Sequence, residues 1–527
     1  MAFFSLLAAP VLLFTGPLLL ALPPRDSAET SDAAPSEEPY RPQFHYTPPT
    51  NWMNDPNGLV YHDGTYHLFH QYNPKGHEWG HMSWYHATST DLMHWSHQGV
   101  ALPEEGNEMI FSGSAVVDAA NTSGFGTGGN SSPMVAIYTS HYTLEGNSSD
   151  QAQSLAYSTD GGATWTKYQG NPVLEHPDPE FRDPYVFWYA PDQRWIMAVA
   201  LSEQQTVQFY ASTNLREWAH LSDFGPAGAT GGIWECPLLF QVPFEDSGQT
   251  RWILKVDLNP GAVAGGSGGQ YFVGDFDGTT FTPHHGVRKH GPHWVDYGPD
   301  FYAAMAWNHV PESDGRALWM GWMNNWAYAK HLPTPLRRSA QTIPRSLHLR
   351  PLQGEPRLVQ QPVEELQRLR EQHVHLDSRP LAAGATPLKE AGISGRSLEL
   401  VAVFEPKGAK TVGLHVRAGT DEKTVIGYDV EAEAVFVDRS ASGVVDAQSD
   451  IPSRSSAPLS LQEGRVKLHV FVDRSSVEVF ANDGARVLTH RIAPTPKSKG
   501  VSLVRAGSPA RLVRLDAWSL RSIWNDS

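Results

Sequence analysis

The sequence predicts an all-β fold, a five-bladed β-propeller followed by a C-terminal β-sandwich. Three observations predict it. From Tyr40 onward, apolar runs of strand length recur between clusters of Gly, Pro, Asn and Asp, as at Tyr66–His70, Met134–Tyr138 and Trp195–Ala200, and long amphipathic helices are missing. A polar turn followed by an aromatic recurs: Ser89-Thr90-Asp91 leads to Trp95, Ser158-Thr159-Asp160 to Trp165, Ser212-Thr213-Asn214 to Trp218, and Phe276-Asp277-Gly278 to Phe281. Val466–Val472 and Ser476–Phe480 alternate around Asp473-Arg474-Ser475, the pattern of a half-buried antiparallel hairpin.

In chain order, residues 1–23 read as a secretory signal, apolar from Phe3 to Leu22 and broken by Pro10, Gly16 and Pro17. The usual positive residue before the apolar stretch is missing, and a membrane anchor is the alternative. Residues 24–39, rich in Ser, Ala, Glu, Asp and Pro, bury little and read as a flexible leader. Residues 40–350 hold the repeated turns. Their aromatics lie roughly 50 to 70 residues apart, a period that suits four-stranded blades. With a strand set around Trp52 to Tyr72 the count comes to about five blades; four unrelated Asx-rich hairpin turns would leave the same trace. Residues 351–380, with a helical pattern at Val363–Arg370, read as a linker. Residues 381–527 read as a β-sandwich, expected to support the site rather than build it.

Composition narrows the function. With 40 basic against 56 acidic residues the net charge is −16, which excludes binding a phosphate backbone through the bulk field. No stretch after the leader is long and apolar enough to span a bilayer, so no membrane association is expected once a signal is removed. The 17 tryptophans suit sugar faces and β cores alike. The one cysteine, Cys236, excludes an intrachain disulfide. Asn121, Asn130, Asn147 and Asn525 head Asn-x-Ser/Thr sites, three of them in one Gly/Ser-rich stretch, as expected of a secreted glycoprotein.

Three acidic motifs carry the chemistry: Asn51-Trp52-Met53-Asn54-Asp55-Pro56-Asn57-Gly58, Phe181-Arg182-Asp183-Pro184 and Trp234-Glu235-Cys236-Pro237. Proline drives the residue before it into extended geometry and cannot donate to a ladder, so each acid is expected at a strand end or edge, facing a cleft. Glycosidic cleavage needs one carboxylate to attack and one carboxylic acid to protonate the leaving oxygen. The short Asp55 suits the nucleophile. Glu235, flanked by Trp234, Cys236 and Pro237, is expected to be kept protonated by apolar surroundings. Asp183, held ionised by Arg182, suits an anchor for sugar hydroxyls.

These motifs, in this order, resemble glycoside hydrolase family 32, the invertase and inulinase family. So do Gln71-Tyr72-Asn73-Pro74, Trp79-Gly80, Phe111-Ser112-Gly113-Ser114, Gly321–Trp326 and Val472–Phe480, from about Tyr40 to Leu520. The resemblance implies the propeller-plus-sandwich fold and no metal or cofactor. It implies Asp55 as nucleophile, Glu235 as acid/base and Asp183 as transition-state stabiliser, with Asn54, Gln71, Trp79, Ser112, Arg182 and Trp326 lining a fructose pocket. Its retaining course implies carboxyls about 5 to 5.5 Å apart. A zinc pair at His77 and His81 is not expected, because i, i+4 spacing shares a face only on a helix.

The Asn-Asp-Pro-Asn-Gly and Trp-Glu-Cys-Pro forms resemble exo-acting members of the exo-inulinase type. His70 and Tyr85 depart from the family pattern and are expected near the pocket entrance, where they bear on water against sugar as acceptor. The expectation is a secreted exo-acting β-fructosidase releasing fructose from inulin, levan or sucrose. The alternatives are a fructosyltransferase building fructo-oligosaccharides and a non-catalytic fructan-binding protein.

Overall fold

The repeated turn occupies one place in successive sheets. Asp91 Oδ1 accepts the backbone N–H groups of Met93 and His94 at 3.0 and 2.8 Å, and the Trp95 indole donates to the Leu92 carbonyl at 3.0 Å. Asn214 Oδ1 likewise accepts from Arg216 and Glu217, both at 3.0 Å, and Trp218 donates to Leu215 at 2.9 Å. Trp165 donates to Gly162 at 3.1 Å beside Asp160. The residue under each indole has positive φ: Leu92 64°, Gly162 87°, Leu215 63°. The Asx side chain and the indole therefore hold a left-handed residue even where it is leucine. Each turn joins the third strand of a sheet to its fourth, as Ser83–Ser89 to Ser96–Leu102 and Thr206–Ser212 to Ala219–Phe224. The repeat is one structural position and not a set of unrelated hairpins.

The computed structural model describes residues 38–524 apart from 128–131, 145–148, 285–290, 332, 335, 353 and 444–450. The expected signal, most of the leader, and Asn130, Asn147 and Asn525 lie outside the described residues. Asn121 is described; its side-chain oxygen accepts from the Gly126 N–H at 2.8 Å. Residues 39–527 form one compact unit, and it is all-β. No helix among the described residues is long and apolar enough to cross a membrane.

Among the described residues, the stretch from Asn51 to Pro362 holds five antiparallel sheets of four or five strands. Their first strands are Asn51–His62, Glu108–Val117, Phe181–Tyr189, Ile233–Pro243 and Tyr302–Ala306. Each of these packs against the next, and the last packs against the first. The first sheet also gains a late parallel strand, Arg337–Arg338, beside Asn51 and Trp52.

The segment expected as a linker carries strands. Arg345–Leu352 and Glu355–Pro362 complete the fifth sheet, a 3-10 turn spans Glu364–Leu369, and Arg370–Leu376 already pairs with Arg511–Leu520. Its charged residues are half-buried or exposed, while Leu358, Val359, Leu366 and Leu369 are buried; the helical pattern comes to a short 3-10 segment.

A seven-stranded and a six-stranded sheet then enclose a core that includes Leu400, Val470 and Leu515 from one sheet and Leu414, Ile426 and Val437 from the other. The Ser476–Ala481 strand is buried on both faces, not half-buried. Val477 and Val479 face the sandwich core. On its other face Glu478 accepts from Arg345 at 2.6 Å and pairs with His45 at 2.9 Å. Polar alternation here marks a second interface rather than solvent.

Candidate active site

All five first strands carry a two-against-one register irregularity near their start. Asn54 and Asp55 oppose Gln71, Phe111 and Ser112 oppose Thr139, Asp183 and Pro184 oppose Val199, Cys236 and Pro237 oppose Val256, and Ala303 and Ala304 oppose Gly321. These are β-bulges, which re-aim side chains and free backbone groups from the ladder. Prolines 56, 184 and 237 sit in or beside three of them and cannot donate to a ladder. Asp183, Cys236 and Ala303 have φ of 65°, 48° and 51°. The bulges bring together the three acids that the motifs single out.

The Asp55 carboxylate accepts from Ser112 Oγ at 2.7 Å on one oxygen and from the Asn54 amide at 3.1 Å on the other. Asn54 is itself oriented by the Trp52 indole at 2.8 Å. Cys236 lies between the two aspartates: its N–H donates to Asp183 Oδ2 at 2.9 Å, and its thiol is 3.9 Å from Asp55 and 3.6 Å from Asp183. Glu235 is held from two sides. Arg182 Nε and Nη2 both donate to its Oε1 at 3.1 Å, and the Tyr302 hydroxyl donates to Oε2.

Burial, with the nearby Glu235 charge, pushes the Asp55 carboxyl up to about 6; Ser112, Asn54 and Lys255 limit the rise. Burial likewise raises Asp183, and the Arg182 guanidinium offsets this only in part. Arg182 directs its donors to Glu235, Gln151 and Glu180, so it acts on Asp183 through its charge. The apolar setting expected around Glu235 is also absent. Trp234 alternates to the opposite face and packs beside Phe224 and Phe272, leaving the carboxyl among polar donors.

Gln71 donates to the Ile110 carbonyl at 3.0 Å, beside Ser112. Trp326 lies over Trp52 with ring centroids 6.0 Å apart and planes at 26°. Trp79 is 40% exposed and meets the edge of Phe111. His70 and Tyr85 are not at an entrance. They stack on each other, buried, with the His70 ring 3.0 Å from the Tyr46 hydroxyl. Strand alternation explains this: Gln71 turns toward the bulges, so its neighbour His70 turns away. His81 is exposed and pairs with Glu104 at 2.8 Å. Among the described residues no group of three or more His, Cys, Asp or Glu is placed to hold a metal ion.

Sequence reasoning missed three residues. Tyr302 reaches Glu235 from the fifth first strand. Lys255, fully buried, donates to the Cys236 carbonyl at 3.2 Å and the Ala304 carbonyl at 3.0 Å, and pairs with buried Asp257. The available signal was two opposite charges, i and i+2, inside the apolar run Ile253–Leu258.

Two fixed carboxylates of unlike setting on a desolvated floor, with a third buried between donors, are the equipment of a glycoside hydrolase. The chain belongs to the glycosyl hydrolases family 32: the family's N-terminal domain matches residues 45–362 and its C-terminal domain residues 364–519. It is 46% identical over 504 residues to the levanase of Bacillus subtilis, covering 94% of this chain and 73% of that one. It is 43% identical over 519 residues to an extracellular exo-inulinase of Aspergillus niger, covering 93% and 96%. The crystal structure of exo-inulinase from Aspergillus awamori superposes with a TM-score of 0.87 at 42% identity, covering 93% and 99%.

Proposed function

We propose that the protein is a secreted exo-acting β-fructosidase that removes terminal β-D-fructofuranosyl units from inulin, levan and sucrose by a retaining double displacement. The observation that carries this reading is the unlike anchoring of Asp55 and Glu235. Asp55 is held rigid by Ser112 and Asn54, as a nucleophile requires. Glu235 is oriented by hydrogen bonds from Arg182 on one oxygen and Tyr302 on the other, as a group that must first give and later take a proton at a fixed place requires.

Asp55 attacks the anomeric carbon while Glu235 gives its proton to the departing glycosidic oxygen. A fructosyl ester on Asp55 results. Glu235 then takes a proton from water, the water oxygen attacks the same carbon, and fructose leaves with Asp55 restored. Asp183, fixed by the Cys236 N–H, binds ring hydroxyls as positive charge develops on the sugar. Asn54, Gln71, Ser112, Arg182 and Trp326 line the fructose pocket, and Trp79 forms its rim.

The five sheets form a closed five-bladed propeller, a reading supported by the cyclic packing of the first strands and the late strand beside Asn51. The domains divide near Val363. Secretion is supported by the extracellular relatives. The test is a time course of products from sucrose, inulin and levan given separately. Fructose as the sole early product of both polymers supports the reading, and early short oligosaccharides overturn it.

A further inference from the structure

The turn that carries Trp326 is tied to the C-terminal sheets. Tyr328, two residues on, donates its hydroxyl to Asp300. Arg439, from strand Ala434–Ala441 of the six-stranded sheet, places Nη1 3.1 Å from both the Tyr328 hydroxyl and Asp300 Oδ2. The same nitrogen donates to the Arg491 carbonyl at 3.1 Å, and the Arg491 N–H donates to Asp300 Oδ2 at 2.7 Å. Asp300, Tyr328 and Arg439 are all buried. A buried cation is tolerated only with its partners in place, so Arg439 depends on Asp300 and Tyr328 as they depend on it.

From there contacts run unbroken to the nucleophile. Tyr328 and Trp326 share a turn closed by Asn325, whose carbonyl accepts the Tyr328 N–H at 3.1 Å. The Trp326 ring lies on Trp52, the Trp52 indole donates to Asn54 at 2.8 Å, and Asn54 donates to Asp55 at 3.1 Å.

We propose that Arg439 is a positioning residue for fructose binding: it sets the Trp326 wall from the C-terminal sheets, making them part of the substrate site. This rests on the reading that Trp326 lines the fructose pocket. A purely structural Arg439 would affect folding stability without changing how the folded enzyme holds fructose.

The test compares Arg439→Met, Arg439→Lys, Tyr328→Phe and Trp326→Ala in the full chain. It measures the inhibition constant for fructose, KM and kcat on sucrose, and the melting temperature. Arg439→Met and Tyr328→Phe are each expected to weaken fructose binding about tenfold, the scale of one lost charge-assisted hydrogen bond. KM should rise more than kcat falls. A double variant carrying Arg439→Met and Tyr328→Phe should bind fructose no worse than the weaker-binding of the two single variants, and Arg439→Lys should recover part of the loss. Melting temperatures that fall while fructose binding stays unchanged overturn the proposal. Tyr328→Phe, which removes one hydroxyl, keeps the test decisive if Arg439→Met does not fold. Trp326→Ala separates the two claims: if it leaves fructose binding intact, the pocket wall is wrong and the proposal falls with it. If only Trp326→Ala weakens binding, the wall stands and Arg439 has no positioning role.

Discussion

Lys255 donates to the carbonyl of Cys236 at 3.2 Å, a backbone group that the fourth bulge removes from its ladder. The same ammonium reaches the Ala304 carbonyl at 3.0 Å in the fifth bulge. One buried side chain therefore satisfies two adjoining bulges. Through Cys236 it fixes the N–H that holds Asp183 and the thiol between the two aspartates.

Replacing Lys255 by Met leaves those carbonyls without a donor and Asp257 without its cation. We expect kcat/KM to fall about 100-fold, the scale of a displaced catalytic group. The charge of Lys255 also lowers the Asp55 carboxyl, so its removal moves the acidic limb of the kcat/KM profile to higher pH. A pH–rate series on both proteins checks this; an unmoved limb would deny Lys255 its electrostatic role.

In the unaltered protein the acidic limb should lie near the Asp55 value of about 6, since attack needs the carboxylate. Asp55→Asn should lower turnover by at least about 1,000-fold, because the amide cannot form the ester. Residual turnover within tenfold would assign the nucleophile elsewhere.

Asp183 titrates above its ordinary range because burial disfavours its charge. A raised carboxyl stabilises the fold while protonated and loses that contribution as pH climbs through the folded value. Asp183→Asn should therefore abolish activity yet raise the melting temperature by a few degrees at pH 8, with little effect at pH 4. Thermal melts at the two pH values decide it.

His45 is bonded to Asp473 at 2.8 Å and Glu478 at 2.9 Å. Burial opposes its charge, but the two acids prevail and raise it to about 9. A raised histidine stabilises fully below its unfolded value of 6.5 and loses that contribution as pH rises through 9. His45→Gln should destabilise by about 3 kcal/mol at pH 6 and by less at pH 9.5, as read by denaturant unfolding.

The legible parts of the fold were those written in local chemistry. Asp91, Asp160 and Asn214 announce their turns because Asx side chains bond their own backbone. The last strand of the fifth sheet, Glu355–Pro362, fell in the expected linker because a tight turn without that motif joins it to the strand ending at Leu352. Asp55, Asp183 and Glu235 were visible because the nearby prolines demand a broken ladder. The surroundings of Glu235 and the place of His70 were misjudged because side chains alternate along a strand, so sequence neighbours face apart. Tyr302 and Arg439 act on groups in other sheets, and Lys255 on one carbonyl of its own sheet and one of the next, and no local pattern records that.

Exo cleavage and retention through Asp55 are both visible in the first product released. NMR of inulin in the first minutes of reaction reads both the product and its anomer, before mutarotation. Retention through Asp55 makes β-fructofuranose the only early product. Early α-anomer, or inulo-oligosaccharides ahead of fructose, would contradict it.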